Sequence, residues 1–415
     1  MREMKDSGIE WVGKIPHCWN TSKLKYLGQY INGYAFKPEE WGSKGVPIIR
    51  IQDLTGSNDN PNYFEGQIDK KYWVENGDIL ISWAATLDAF IWNKGNGWLN
   101  QHIFKAVPNR RIINYDFFFW MIKESMKNMN NDNKHGIFMQ HVTLSVFNNF
   151  TIPMPPLAEQ ERIAAFLDAQ CAEIDAVLEK TRASIEEYKK LKQAVITQAV
   201  TKGIRGDRPM KNSGIEWIGD IPAEWDVIRV KQLLKERNER SKEGKEEPLS
   251  MSQKVGLVPT KFLESIPNMA SSFVGAKLAY VDDLVFNKLK AHLGVFSVSR
   301  YDGLVSPDYA VYCSTGKSNL KYLEYIFKTP QCIGEFRKKS TGIAAGLMRL
   351  YTEGLFSIYL PYPALSEQEE IAEYLNEKCA GIDALIVKKQ QYITEIENYK
   401  KSLIYEYVTG KKEVI

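Results

Sequence analysis

Two short strings carry side chains suited to the edges of nucleic-acid bases. Asn100-Gln101-His102 follows a Gly-rich turn, and Asn287-Lys288-Leu289-Lys290-Ala291-His292 ends a predicted strand. Two polar stretches, 127–136 and 337–342, add cations and a hydroxyl. Asn and Gln can pair with adenine through two hydrogen bonds, Arg and Lys can pair with guanine, and Lys, Ser and backbone amides can clamp phosphates. The candidates in the first half are Asn100, Gln101, His102, Lys134 and His135. Those in the second are Lys288, Lys290, His292, Arg337, Lys338, Lys339 and Ser340. Taken singly, a polar loop residue is more often a solvated turn residue than a base reader.

Catalytic patterns are missing. There is no GxxxxGK[ST] phosphate loop, GxSxG elbow, HExxH zinc motif or GxGxxG fingerprint. The Asn/Asp-Pro-Pro-aromatic tetrad of an amino-methyltransferase has no match, since Met154-Pro155-Pro156-Leu157 and Ser306-Pro307-Asp308-Tyr309 depart from it. His135 and His141 form a weak metal-ligand pattern, so no metal site is expected. A nuclease built on Asp282, Asp283 and Asp308 is a minor alternative, because acids at strand ends are usually turn or capping residues. No catalytic residue and no cofactor are assigned to this chain.

At about 100 to 200 residues per domain, 415 residues make two to four domains. The formal charge is +3, from 54 basic and 51 acidic residues, so any polyanion surface must be local. Cys18, Cys171, Cys313, Cys332 and Cys379 are odd in number and show no CxxC spacing, which fits a reducing cytosol. Neither a secretory signal nor a run of about 18 apolar residues occurs, so a cytoplasmic chain without a membrane span is expected.

Residues 157–201 contain neither Gly nor Pro and are rich in Ala, Glu, Lys, Gln and Leu, a composition for a long helix. Leu167, Ile174, Leu178 and Ile185 belong to a seam spaced by alternate threes and fours, as in a coiled coil. The second seam holds Leu375, Ile382, Ile386 and Ile393. Lys192 and Lys400 lie near the seam ends, where they either fix the pairing or snorkel out to water. A helix of about 43 residues spans about 65 Å and needs a partner; the other copy supplies one. Strands are predicted at 46–51, 77–82, 275–281 and 283–287, and amphipathic helices at 114–129 and 320–336, each followed by a polar, basic loop. The charge-rich run 235–243 reads as a solvated helix face or loop.

These elements occur twice. Ile152-Pro153-Met154-Pro155-Pro156-Leu157-Ala158-Glu159-Gln160 returns, 208 residues on, as Leu360-Pro361-Tyr362-Pro363-Ala364-Leu365-Ser366-Glu367-Gln368. Ser7-Gly8-Ile9-Glu10-Trp11 returns as Ser213-Gly214-Ile215-Glu216-Trp217, with Trp19 matched by Trp225. Such self-similarity is the strongest clue to architecture. Trp11, Trp19, Trp217 and Trp225 are read as structural packing. Between the echoes, 20–151 and 226–359 are inserts of low mutual similarity. The chain divides into 1–156, 157–203 (a long helix), 204–363 and 364–415 (a second long helix).

The duplicated Ser-Gly-Ile-Glu-Trp element, the duplicated Glu-Gln junction and the long helix after each junction resemble the specificity (S) subunits of Type I restriction-modification systems over essentially the whole chain. Gly77-Asp78-Ile79-Leu80-Ile81-Ser82 and Gly303-Leu304-Val305-Ser306-Pro307-Asp308-Tyr309 resemble elements of that family's variable domains. The resemblance implies an α+β fold in which two mixed α/β target recognition domains are joined and spaced by two long antiparallel coiled-coil helices, with an internal pseudo-twofold repeat. It further implies a non-enzymatic reader of a bipartite, asymmetric sequence in double-stranded DNA. Two modification (M) methyltransferase subunits with S-adenosylmethionine, and restriction (R) subunits using ATP with Mg, would be its partners. A coiled-coil protein scaffold without DNA readout is the rival reading.

Overall fold

The Gly- and Pro-free stretch and its repeat fold as two long helices, Leu157–Lys202 and Leu365–Val408. The computed structural model describes residues 2–414 apart from 59, 132–140, 254, 264–272 and 343–347, and of 130 and 131 the backbone alone. Leu167, Leu178, Ile185, Leu375, Ile382 and Ile393 are buried, while Ile174 and Ile386 are half-buried. Seam periodicity therefore translates into burial along both helices.

By contact, the chain forms two compact units, 1–181 with 391–415, and 182–390. Each takes half of each long helix, whereas the sequence alone divides the chain at the helix ends. The halves run antiparallel within each unit. In the first, Phe166 meets Tyr407 with ring centroids 4.4 Å apart, and Lys400 Nζ lies 2.6 Å from Asp175 Oδ1. In the second, Tyr188 lies under Lys389 and Lys192 Nζ is 2.6 Å from Asp383 Oδ2. Lys192 and Lys400 are repeat equivalents, as are Asp175 and Asp383. Both seam lysines thus end on an aspartate of the facing helix rather than in open water.

The repeated Glu-Gln junction fastens each unit. The Trp19 indole N–H donates to Glu159 Oε2 at 3.0 Å, and Arg2 reaches Glu159 Oε1 at 2.6 Å. Trp225 donates to Glu367 Oε2 at 2.9 Å, and Arg208 pairs with the same carboxylate. Both glutamates sit in the first turn of a long helix, where the helix dipole favours negative charge. Gln160 accepts the Asn114 backbone N–H at 2.8 Å and donates to Pro155 O at 2.9 Å. Gln368 repeats this with Asn319 and Pro363, both at 3.0 Å. Asn114 and Asn319 in turn cap the helices Tyr115–Asn131 and Leu320–Phe327 through their side-chain oxygens. The echo is therefore a fastening that ties strand, insert helix and long helix together. Trp19 and Trp225 are fully buried; Trp11 and Trp217 are half-buried against the two cores.

Each insert contains a four-stranded antiparallel sheet. The first has the order Gly28–Asn32, Ile103–Pro108, Ile79–Ser82, Asp88–Ile91; the second has Leu234–Arg237, Tyr309–Ser314, Leu284–Asn287, Phe296–Val298. The chain order of the strands is the same in both, so dissimilar inserts share one topology. Lys277–Ala279 pairs with Gly303–Val305, and Val46–Ile49 pairs with Gly97–Leu99 in parallel.

Several sequence readings change. The helix expected over 320–336 is two helices, Leu320–Phe327 and Pro330–Lys339. Pro330 has no N–H to continue the first, and Thr329 restarts the chain as an N-cap, accepting from Cys332 N. Arg337, Lys338 and Lys339 form the last turn of that second helix rather than a loop. The basic loop expected from 127 begins as helix through Asn131. In the run 235–243, Lys235, Glu236 and Arg237 are strand: half-buried Glu236 receives Lys277 and half-buried Arg237 receives Asp283 across the insert, and both partners are buried. Strand 46–51 stops at Ile49, and Ile51–Thr55 is a short helix.

Candidate nucleic-acid interface

In the first insert, three connections converge on a cleft of about 330 Å³. Arg50, Gln52, Thr55 and Ser57 come from the short helix and its flanks, Ala85 and Thr86 from the turn after Ile79–Ser82, and Asn100, Gln101 and His102 from the turn before Ile103–Pro108. Backbone bonds fix the rim. Asn100 N–H donates to Ile49 O at 3.2 Å, Gln101 N–H donates to Tyr34 O at 2.8 Å, and Trp83 N–H donates to His102 O at 3.1 Å. Ala85 and His102 hold left-handed backbone, φ 59° and 74°, among only four such non-glycine residues described. Strain of this kind persists only where surrounding structure enforces it and clusters at binding sites.

The roles within the predicted triplet differ. Asn100 is buried and its side-chain oxygen accepts Gln101 N–H at 2.9 Å, so it shapes the turn. Gln101 is half-buried and His102 exposed, its ring edge-on to Trp83 at 4.8 Å. Lys134 and His135 lie outside the described residues. Arg50, Gln52, Thr55 and Ser57 were missed by the sequence reading, which placed Arg50 inside a strand. The available signal was Asp53, whose carboxylate accepts Arg50 N–H at 2.8 Å and opens the short helix.

The second insert repeats the backbone arrangement with other side chains. Lys288 N–H donates to Asp308 O at 3.2 Å and Leu350 N–H donates to Lys288 O at 3.0 Å. In the first insert Trp83 N–H meets His102 O and Val142 N–H meets Trp83 O at 2.9 Å. Lys288 Nζ donates to Pro307 O at 3.2 Å, Arg349 pairs with Asp308 at 3.4 Å, and Lys290 is exposed. This edge is cationic where the first is rich in amides.

The remaining second-half candidates divide. Arg337 and Lys339 are exposed; Lys338 pairs with Glu335 at 2.7 Å, and the Ser340 hydroxyl donates to Phe336 O at 2.7 Å. His292 is a correction: it lies inside, in the turn packed on helix Pro330–Lys339, with Nδ1 unpartnered. Burial, and then the nearby Arg337 charge, lower its pKa. Asp283, one of the candidate nuclease acids, is occupied by Arg237 at 2.8 Å and by Tyr280 N–H at 2.9 Å. Among the described residues no three His, Cys, Asp or Glu side chains are grouped to hold a metal, and no helix is long and apolar enough to cross a membrane.

Comparison with known proteins adds sequence and fold relatives. The family model described as the Type I restriction modification DNA specificity domain matches residues 16–187. The Type I restriction enzyme EcoBI specificity subunit of Escherichia coli is 22% identical over 434 aligned positions, covering 99% of this chain and 90% of its own length. The MjaVIII specificity subunit of Methanocaldococcus jannaschii is 24% identical over 421, covering 97% and 94%. A solved structure described as showing complex assembly and conformational transition of the type I R-M system superposes with TM-score 0.73 at 15% identity, over 96% of this chain and 99% of that one. The HsdS subunit from Thermoanaerobacter tengcongensis gives TM-score 0.52 at 16% identity, over 96% and 98%.

Proposed function

The chain belongs to the family of Type I restriction-modification specificity subunits, and from that premise we propose that its two inserts read the unlike halves of one bipartite duplex target. The observation that carries this reading is the shared backbone frame with exchanged side chains: Trp83, His102 and Val142 in one insert, Lys288, Asp308 and Leu350 in the other. One scaffold presenting two chemistries gives two half-sites of different sequence, with direct readout from the side chains and positioning from phosphate contacts.

Methyl transfer and DNA cleavage then lie with partner subunits. S-adenosylmethionine belongs to two M subunits and ATP with Mg to R subunits, while this chain fixes register on the DNA and the methyltransferase flips the target adenine. Two copies of one partner fit the distribution of exposed apolar residues. The first unit exposes Leu157, Val177 and Tyr399, and the second exposes their repeat equivalents Leu365, Leu385 and Leu191. A surface written twice takes the same partner twice. Work on chromosomal DNA places the complex in the cytoplasm.

The test is methylome sequencing of a host expressing the chain with its M subunit, against M alone. A new N6-methyladenine motif of two unlike halves around a fixed spacer is expected. A stable complex that adds no motif would return the chain to the scaffold reading.

A further inference from the structure

We infer that the first insert reads adenine in two A·T pairs of its half-site, through the side-chain amides of Gln52 and Gln101; this rests on the DNA-reading function proposed above. Both residues line the same cleft, and neither side-chain amide makes a hydrogen bond with another described residue. Their backbones, by contrast, are held. Gln101 N–H is shared between Tyr34 O and Asn100 Oδ1, and the next residue, His102, is locked at φ 74° with its carbonyl on Trp83 N–H. Gln52 stands in the short helix that opens on the Arg50 and Asp53 pairing, and its carbonyl accepts Ser57 N–H at 3.0 Å. Fixed backbone with unengaged side-chain amides is a preorganised reader.

The chemistry selects the base. A glutamine amide offers one donor and one acceptor side by side. Adenine presents an acceptor at N7 beside a donor at N6 in the major groove, so both groups are used. Guanine presents two acceptors there, which leaves the amide carbonyl unpaired; cytosine presents a donor alone, which leaves the amide NH₂ unpaired. A polar group stranded in a closed interface is costly, so each mismatch is rejected. The arginine that lines the same cleft, Arg50, is stacked on Trp41 with its guanidinium carbon 4.9 Å from the ring centroid. Lysines dominate the matching edge of the second insert at Lys288 and Lys290, whose chemistry suits guanine or phosphate instead.

The experiment is the methylome of a host carrying the full chain with its M subunit, repeated with Gln52→Ala, Gln101→Ala and the isosteric Gln52→Glu and Gln101→Glu. Each alanine variant is expected to relax one A·T position of one half-site, raising methylation of sites with another base there about 5- to 150-fold relative to the unaltered chain. Each glutamate variant loses the donor to N7 without loss of volume and is expected to relax the same position. Continued recognition of the other half-site shows that the variants are folded. Relaxation at a G·C position, in the half-site that follows the second insert when inserts are swapped, or at no position overturns the inference while bipartite reading stands. Absence of any motif for the unaltered chain overturns both.

Discussion

Glu367 illustrates how much one buried carboxylate holds in this fold. It accepts the Trp225 indole N–H and pairs with Arg208, and all three side chains are shielded from water. Removing it leaves the Trp225 indole N–H without its acceptor and the Arg208 guanidinium, whose Nε already lacks a partner, with Glu224 alone at 2.7 Å. Glu367→Ala is expected to cost the second unit about 1 to 3 kcal/mol, read as a lower unfolding temperature of the chain in calorimetry. Glu159→Ala is expected to cost less, because Arg2 is 20% exposed against 10% for Arg208, while each arginine keeps a second carboxylate, Glu413 at 3.8 Å and Glu224 at 2.7 Å. Equal losses would refute that ranking. His292 gives a pH signature. Its folded pKa is below the ordinary 6.5, so the unfolded chain binds the proton more readily, and stability falls as pH drops from the ordinary value toward the folded one. His292→Phe should flatten the unfolding temperature between about pH 5 and 7; an unchanged slope counts against burial as the cause. Residue types were legible in the sequence at these positions, but direction was not. Asn100, Gln101 and His102 form one polar triplet at the cleft, yet Asn100 is buried with its side-chain oxygen spent on the turn while His102 is exposed, because strand register and a left-handed φ set the backbone at each.

The long helices were the most legible elements, since seam spacing and the absence of Gly and Pro both depend only on local sequence. Where an element depends on a partner distant in sequence, legibility drops. The run 235–243 looks solvated until Lys277 and Asp283 arrive opposite Glu236 and Arg237. The break at Pro330 was written in the sequence, but the apolar pattern continues through it on both helices. The lysine and aspartate pairs between the long helices show how magnitude assigns a role. Lys192 with Asp383 and Lys400 with Asp175 are 21 to 59% exposed, and such pairs contribute about 0 to 1 kcal/mol each. They set register rather than stability. Lys192→Ala is expected to leave the unfolding temperature nearly unchanged, whereas Lys192→Asp, which opposes Asp383 with like charge, is expected to lower it. Adding Asp383→Lys to Lys192→Asp should restore it, and failure of that rescue in a double-mutant cycle would remove the pairing from the account.

At the scale of the molecule, duplication presents one exposed apolar triplet twice, under the proposed function a docking face for each M subunit, and leaves one adjustable connection. If the exposed apolar triplets receive partners, Val177→Asp changes one face and leaves its equivalent at Leu385 untouched. The expected result in native mass spectrometry is loss of one M subunit from the proposed complex of two, and retention of both would place docking elsewhere. The connection is the pair of long helices. Four residues added near Thr197 would lengthen one of the two helices. The fold argues against that site, because Ile196, Ala199 and Val200 are part of the second unit's core, and an insertion there turns them out of it. The better positions are the unit boundaries, after Thr181 in one helix and after Gln390 in the other. Four residues in each add about 6 Å of rise and about 40° beyond a full turn. With DNA rising 3.4 Å per base pair, the spacer should grow by on the order of one or two base pairs. Both half-site sequences should persist, since neither insert is touched. Methylome sequencing of the doubly extended chain reads the spacer directly; an unchanged spacer with intact half-sites would show that the helices do not set the distance between readers, and an insertion at Thr197 alone should yield no motif at all.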